Sequence, residues 1–358
     1  MMNLKERLSR LPKIDLHRHL EGSLRLETIH EIAREHNVNL QEYSIDSLRP
    51  LVQIVENHVP DFHTFMEKFY FLRQFYSSQD AIKRIAYEAV IDAAEDNIKY
   101  LELRFSPYSL SLNQSFSLNE VMEWVIEAVD KAQAERDIMV RLIVTIVREF
   151  SRKIAWRIAR TALTYAPYGV VGLDLAGDEV RDPMEPFADI FKMAREAGLG
   201  ITVHAGEARR GEGAESVRKA VELFGAQRIG HGVRAGESPD VVALLRDRKV
   251  TLEICPTSNF QTGVVLDPIH HPSRDMHRQG VLITINTDDP SISDTTLTDE
   301  YCIALREMGI TLEELKKMIL NGVRAAFLPQ EEKDKLEAWF RRELDSNIPT
   351  AMRRWHLR

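Results

Sequence analysis

Eight short apolar runs recur along this chain, and the stretches between several of them have helical spacing. Many of the runs are nearly continuous in Val, Ile and Leu, which is typical of parallel strands buried on both faces. The runs cover residues 13–19, 100–106, 140–147, 170–176, 201–207, 228–232, 251–256 and 282–288. Eight strand–helix units in succession predict an α/β fold, a (β/α)8 TIM barrel.

The segments around the later runs support this prediction. Residues 117–136 and 214–224 have apolar side chains at intervals of three and four, as amphipathic helices do. Residues 311–320 and 330–344 are predicted as closing helices. A length of 358 residues with 44% hydrophobic content suits one barrel domain over residues 1–358, because barrels often reach this size as a single unit.

One connection is too long for a simple crossover. Nearly eighty residues separate Gly22 from Tyr100, so we expect a helical insertion after the first strand, at about 24–98, with a helix near 26–36. The insertion contains an aromatic cluster of Phe62, Phe65, Phe69, Tyr70, Phe71, Phe75 and Tyr76. These rings either pack an accessory helical layer, or some of them form a wall or lid at the mouth of a site.

Charge and cysteine content restrict the class of protein. The net charge of −8 and the pI of about 5.9 disfavour a broad surface for nucleic acid or anionic membrane. Two cysteines, Cys255 and Cys302, are too few for a disulfide framework and fit a reducing cytoplasm. The first ten residues lack the apolar core of a signal peptide, and no apolar run approaches the ~20 residues of a membrane span. We therefore expect a cytoplasmic protein without nucleic-acid or membrane partners.

Metal-binding residue types stand at the ends of the predicted strands, where barrels of this kind place their sites. His17 and His19 are two residues apart, so on an extended chain both imidazoles point to the same face. His204 lies near the end of the fifth strand and Asp288 at the end of the eighth. A bare His-x-His pair also arises by chance, but three histidines and an aspartate suit a zinc site with an open place for water.

Residues for acid–base chemistry stand at the same strand ends. Glu207 follows the fifth strand, and a carboxyl there could deliver a proton to a group under attack. His231 lies between two glycines, which permit close approach to metal or substrate, although a histidine in such a turn is often structural. Asp288-Asp289-Pro290 would, taken alone, also suit a helix cap and turn. Cys255 is predicted to be a small buried residue and not a ligand.

The ordered set of motifs resembles the signature of the adenosine deaminase family, a branch of the metal-dependent amidohydrolase superfamily of barrels. The motifs are His17-Arg18-His19-Leu20-Glu21-Gly22, Ala176-Gly177-Asp178-Glu179, Thr202–Glu207, Gly230–Gly232, Cys255–Asn259 and Asn286–Pro290. The resemblance runs from about residue 11 to about residue 328 and is greatest to bacterial adenosine deaminases. The other class of zinc deaminases carries a His-x-Glu…Pro-Cys-x-x-Cys signature, which this sequence does not contain.

The resemblance implies a role for each matching residue. One zinc ion per subunit would be held by His17, His19, His204 and Asp288. Glu207 would protonate purine N1. Asp288 and His231 would orient the attacking water, with His231 assisting its deprotonation or stabilising the hydroxide. Asp289 would meet N7, and the backbone N–H of Gly177 would meet N3. The implied reaction converts adenosine and 2′-deoxyadenosine, as small-molecule substrates, to inosine and 2′-deoxyinosine with release of ammonia.

Glu21 departs from the family pattern. Adenosine deaminases commonly have aspartate at this position, where it reaches the ribose 5′-hydroxyl. Relatives that act on adenine or aminodeoxyfutalosine tend to have glutamate, so a deaminase of another 6-aminopurine is the alternative. Glu21 would also suit a turn or the start of a helix.

Two more distant functions fit the sequence less well. A two-metal phosphoester or amide hydrolase on this barrel would usually need a bridging lysine, and no predicted strand end offers one. A non-catalytic purine-binding protein would be expected to have lost a metal ligand or the acid, and this chain retains all of them.

Overall fold

A computed structural model of the protein describes residues 3–35, 44–55, 59–208 and 212–346. Eight strands form one sheet in chain order, and each pairs in parallel with the next. The strands are β1 (Lys13–His19), β2 (Ile98–Phe105), β3 (Met139–Val147), β4 (Val170–Ala176), β5 (Gly200–Ala205), β6 (Arg228–His231), β7 (Thr251–Ile254) and β8 (Leu282–Ile285). With helices between the strands, this is the predicted (β/α)8 barrel.

The later strands are shorter than predicted at their carboxyl ends. β5 gives way to Gly206, which has a φ of 70°, and β6 ends on His231, which has a φ of 61°. Beyond β8, Asp288 has a φ of 62°. A left-handed backbone cannot continue a strand, so the chain turns at these three residues. The side chains of His231 and Asp288 line the cavity at the barrel mouth.

Helices flank and connect the strands. They are α1 (Leu4–Ser9), α2 (Leu26–Glu35), α3 (Ile45–Val52), α4 (Phe62–Leu72), α5 (Gln79–Glu95), α6 (Pro107–Ser111), α7 (Leu118–Glu135), α8 (Arg152–Thr164), α9 (Ala188–Glu196), α10 (Gly213–Phe224), α11 (Pro239–Arg248), α12 (Pro256–Gln261), α13 (Ser273–Arg278), α14 (Pro290–Ser293), α15 (Leu297–Arg306), α16 (Leu312–Ala325) and α17 (Gln330–Asp345). Capping boxes begin α7 at Ser117 and α16 at Thr311. Within the described residues, no helix is both long and apolar enough to cross a membrane.

The insertion predicted at about 24–98 contains α2 to α5. The helix expected over 26–36 ends at Glu35 in the structure, and its last predicted residue lies outside the described part of the chain. Both interpretations of the aromatic cluster hold, for different rings. Four rings line the cavity at the barrel mouth: Phe62, Phe65, Phe69 and Tyr76. Phe71 and Phe75 pack edge to face against each other, with 5.5 Å between ring centroids, and Tyr70 is exposed. Movement of this segment as a lid stays a prediction.

The barrel interior holds a layer of buried charged residues that the sequence did not predict. Arg228 lies 2.5 Å from Glu102 and 2.6 Å from Glu253, and its guanidinium stacks 3.7 Å from the centroid of the Phe327 ring. Arg104 lies 2.8 Å from the other oxygen of Glu253. Pairing each charge with an opposite one makes burial of the layer tolerable. The ion pairs of this layer therefore hold charged side chains at fixed positions inside the barrel core.

The first and last strands meet at their carboxyl ends. The His19 backbone N–H donates to the Asp288 carbonyl, and the Asp288 N–H donates to the His17 carbonyl, both at 2.8 Å. The Leu16 N–H donates to Oδ1 of Asn286 at 3.0 Å. The seam of the barrel is therefore closed by the same residues that are expected to bind metal.

Candidate active site

A cavity opens at the carboxyl ends of the strands, and the insertion forms one of its walls. It is lined by most of the residues singled out from the sequence: His19, Glu21, Gly177, His204, Glu207, His231, Asp288 and Asp289. His17 lies beneath them and is fully buried. The structure thus brings together residues that are up to about 270 positions apart in the chain, because all parallel strands of a barrel end on the same side.

The four predicted metal ligands converge at the floor of this cavity. The possible ligand atoms of His17, His19, His204 and Asp288 lie within 4.8 Å of one another, and all four residues are buried. Oδ1 of Asp288 is 3.1 Å from Nε2 of His17 and 3.5 Å from Nε2 of His19. Nε2 of His19 is 3.2 Å from Nε2 of His204. Imidazole nitrogens and a carboxylate at this spacing suit a divalent transition metal.

Two buried carboxylates orient these histidines. Nδ1 of His17 is 2.8 Å from Glu253, and Nδ1 of His204 is 3.0 Å from Asp174. An ionised carboxylate only accepts hydrogen bonds, so each histidine carries its proton on Nδ1 and presents the bare Nε2 to the centre. Among the described residues, Nε2 of His17 has no hydrogen-bond partner although it is buried. With its hydrogen on Nδ1, His17 would present a lone pair to a carboxylate oxygen at 3.1 Å, and a cation between the two would remove their repulsion, so the residues fit a metal ion.

Arg104 links the two orienting carboxylates. One of its Nη atoms is 2.8 Å from Glu253 and the other is 3.4 Å from Asp174. Burial alone would raise the pKa of Asp174, but His204 and Arg104 hold this pKa well below its usual value. Sequence reasoning missed the roles of Arg104, Asp174 and Glu253. The only signal was the presence of charged residues inside three largely apolar runs, with both Glu102 and Arg104 in the second run.

Glu207 is held in place through its backbone. The carboxylate of Glu179 accepts the N–H groups of Gly206 at 3.0 Å, Glu207 at 2.7 Å and Ala208 at 2.5 Å. The side chain of Glu207 is buried. Burial, together with the nearby charges of Asp288 and Glu179, raises the pKa of Glu207 well above its usual value. This shift favours the protonated form of Glu207, which can act as a proton donor.

His231 faces Glu207 across the cavity floor. Its Nε2 is 3.5 Å from Glu207 and 3.8 Å from Asp288. Burial lowers the pKa of His231 well below its usual value, so the imidazole is neutral. Cys255 is fully buried, as predicted, and its thiol lies within 4.8 Å of ligand atoms of His231 and Asp288.

Asp289 is a second buried carboxyl beside Asp288. Its Oδ1 has no hydrogen-bond partner within the described part of the chain. Burial and the charges of Asp288, Glu21 and Glu207 raise the pKa of Asp289 well above its usual value. Gly22 packs against it so closely that an added Cβ would overlap the carboxyl group. Asp289 is thus fixed in place, and the shift favours the protonated carboxyl, which can donate a hydrogen bond to a ligand.

Glu21 and Gly177 lie on the cavity wall. Oε1 of Glu21 accepts the Ser106 N–H at 2.7 Å, and Oε2 is buried without a partner among the described residues. Burial raises the pKa of Glu21 to about 7. Gly177 has a φ of 104°, a conformation that side-chain-bearing residues rarely adopt. Its bare backbone faces the same cavity.

The barrel and its buried His3Asp group define a hydrolase of the amidohydrolase class. The family model described as "Adenosine deaminase" matches residues 12–340, and the chain belongs to the adenosine deaminase family. It is similar to the adenosine deaminase of Shewanella loihica, with 39% identity over 328 residues that cover 92% of this chain and 98% of the relative. The predicted family is confirmed.

Solved structures agree with this assignment. An amidohydrolase from Burkholderia ambifaria with bound zinc superimposes with a TM-score of 0.87 at 26% identity, covering 96% of this chain and 94% of the other. The N6-mAMP deaminase of Arabidopsis superimposes with a TM-score of 0.83 at 27% identity, covering 94% of this chain and 99% of the other. The barrel fold is shared over nearly the whole length of each chain.

Proposed function

We propose that this enzyme hydrolyses the 6-amino group of adenosine and 2′-deoxyadenosine, giving inosine and 2′-deoxyinosine plus ammonia. The observation that carries the proposal is the convergence, in one cavity, of four metal-type ligands with a buried Glu207 whose pKa is raised. The similarity to a named adenosine deaminase over 92% of the chain supports the choice of substrate.

The metal we propose is zinc, one ion per subunit. It would be held by His17, His19, His204 and Asp288. Histidine-rich sets of this kind favour zinc, and the Burkholderia relative has zinc bound. When bound, zinc lowers the pKa of a water at the site towards ~7, which makes a nucleophile available at neutral pH.

The residues of the chain would carry the remaining steps. Glu207 gives its proton to purine N1, which draws electrons from C6. Asp288 and His231 orient the water whose oxygen adds to C6. Asp288 takes the proton that the water loses and passes it to the amino nitrogen. The C6–N bond breaks, ammonia leaves, and the proton of the new C6 hydroxyl group returns to the carboxylate of Glu207, which leaves the 6-oxopurine. Asp289 donates to N7, and the N–H of Gly177 meets N3.

A second candidate is a deaminase of another 6-aminopurine, such as adenine or aminodeoxyfutalosine. Glu21 favours it, because a glutamate stands where adenosine deaminases commonly have aspartate. One oxygen of Glu21 is already bonded to the Ser106 N–H, so only Oε2 remains to bind a substituent on N9. The relative named N6-mAMP deaminase belongs to the same structural group.

Ammonia release by the zinc-loaded enzyme tests both candidates. The panel holds adenosine, 2′-deoxyadenosine, adenine, AMP and aminodeoxyfutalosine, compared by kcat/KM. Adenosine and 2′-deoxyadenosine should lead. A lead by adenine or aminodeoxyfutalosine would move the assignment to the second candidate. Failure to release ammonia from any member would overturn deamination itself.

We also infer a reducing cytoplasm as the location of the enzyme. Cys255 and Cys302 are both free and buried. Reducing compartments maintain thiols in this state.

A further inference from the structure

A series of hydrogen bonds leads from the start of α13 to His231. The backbone N–H of Ser273 donates to Nδ1 of His271 at 3.2 Å. Nε2 of His271 is 3.2 Å from Oδ1 of Asn259. Nδ2 of Asn259 is 2.9 Å from Nδ1 of His231. The three side chains are buried. His271 was not singled out from the sequence, and Asn259 was named only as the last residue of the Cys255–Asn259 motif.

The Ser273 N–H, at one end of this series, determines which group donates and which accepts in each hydrogen bond. A backbone N–H can only donate, so Nδ1 of His271 must accept, and the neutral ring carries its hydrogen on Nε2. Burial lowers the pKa of His271 to about 3, so the ring is neutral. His271 then donates to the Asn259 oxygen, and the Asn259 NH2 group donates to Nδ1 of His231. Amide and imidazole orientations are ambiguous when taken singly, but one backbone N–H determines all three here.

We propose that His271 and Asn259 are positioning residues that hold His231 as the tautomer protonated on Nε2, so that His231 donates a hydrogen bond to the attacking water and does not deprotonate it. The inference rests on the proposed deaminase function for the identity of that water. It chooses between the two roles that the family resemblance left open for His231. The N–H points towards the space between Glu207 and Asp288, with Nε2 at 3.5 and 3.8 Å from their oxygens.

The opposite tautomer would disrupt the whole series. For Nε2 of His231 to accept a proton, the ring hydrogen must move to Nδ1 and the Asn259 amide must turn over. The hydrogen of His271 must then move to Nδ1, where it would face the Ser273 N–H. Two donors would oppose each other in a buried place, and such unpaired groups are costly.

The first test is spectroscopic and needs no turnover. Zinc-loaded protein labelled with [15N]histidine should show His231 protonated on Nε2, with its signals assigned by comparison with His231→Gln. Asn259→Asp places a group that only accepts beside Nδ1, so it should move the hydrogen of His231 to Nδ1. A wild-type spectrum with His231 protonated on Nδ1 would overturn the proposal, whatever the substrate of the enzyme.

The second test is kinetic. His271→Ala should lower kcat about 10- to 100-fold, the usual cost of losing a partner that orients a working side chain. KM and zinc affinity should not change, because His271 is neither one of the residues that line the cavity nor one of the four proposed ligands. His271→Gln should restore most of kcat, since its amide N–H can still donate to Asn259. His270→Ala is the matched control, because that neighbouring side chain is 82% exposed.

The outcomes separate the possibilities. Wild-type kcat and an unchanged His231 spectrum in His271→Ala would refute the positioning role. Parallel losses of thermal stability, zinc content and kcat in His271→Ala, without a change in the tautomer of His231, would also refute it. That pattern would indicate that His271 only supports the fold. If no panel substrate releases ammonia while the spectra follow the prediction, the proposed function fails and the assigned tautomer stands.

Discussion

Glu253→Gln should weaken zinc binding although Glu253 is not a ligand. Its carboxylate lies 2.8 Å from Nδ1 of His17, 2.8 Å from Arg104 and 2.6 Å from Arg228. Burial alone would raise the pKa of Glu253, but the two arginines hold it well below its usual value, so the group is an anion. Glutamine keeps the shape, removes the charge and turns an NH2 group towards donors. We expect the zinc dissociation constant to rise about 10- to 100-fold.

The cost to folding can be bounded from the same contacts. Removing one partner of a buried ion pair typically costs about 3–5 kcal/mol. Arg104 would still have Asp174 at 3.4 Å, and Arg228 would still have Glu102 at 2.5 Å. We therefore expect the lower end, a loss of about 3 kcal/mol in the free energy of unfolding of the metal-free protein.

Glu102→Gln provides the matched control. Glu102 pairs with the same Arg228 in the same buried layer, but its other partners are the Tyr100 hydroxyl and the Phe327 N–H. It touches none of the histidines. This variant should lose stability of similar size and keep the wild-type zinc affinity. Urea unfolding measures the first quantity and competition with a chelator measures the second. Equal zinc affinities for the two variants would refute the idea that Glu253 sets the donor strength of His17.

Three further predictions concern other parts of the molecule. Glu207→Gln should lower kcat by about 10²- to 10⁴-fold while elemental analysis finds the metal retained, and a loss below about tenfold would contradict the proton-donor role. Gly22→Ala should lower kcat/KM for ammonia release, because the new Cβ displaces Asp289; an unchanged value would show that the purine does not depend on that carboxyl. Burial raises the pKa of Glu300 to about 7, so ionisation of this carboxyl lowers the free energy of unfolding as the pH rises through 7. Glu300→Gln should therefore be roughly 1–3 kcal/mol more stable than wild type at pH 8 and gain little at pH 5, and a gain independent of pH in thermal unfolding would argue against this origin.

Much of the fold was predictable because a parallel strand that is buried on both faces needs a nearly continuous run of apolar residues. All eight strands lie within or beside the predicted runs. The strand ends were not predictable, because His231 and Asp288 adopt a left-handed backbone conformation that does not follow from their residue types. Tertiary contacts around the site impose that conformation.

Some residues of the candidate site were likewise predictable from the sequence, and others were not. His17, His204 and Glu207 were predictable because each stands at a strand end, and barrel geometry gathers strand ends. Glu253 and His271 were not, because their partners come from other elements across the barrel or from a loop. Linear spacing carries no information about which buried carboxylate meets which imidazole. Such pairs become visible only when the strands are placed side by side.

The closure of the seam through His17, His19 and Asp288 has a consequence for synthesis of the chain. The two histidines leave the ribosome about 270 residues before Asp288, and domains tend to fold from the N-terminus as they emerge. The nascent protein therefore cannot assemble all four metal ligands until its eighth strand has arrived beside the first. A chain interrupted before that strand would lack both the barrel closure and the aspartate ligand. Completion of the proposed set of three histidines and one aspartate thus requires that translation has passed the last strand.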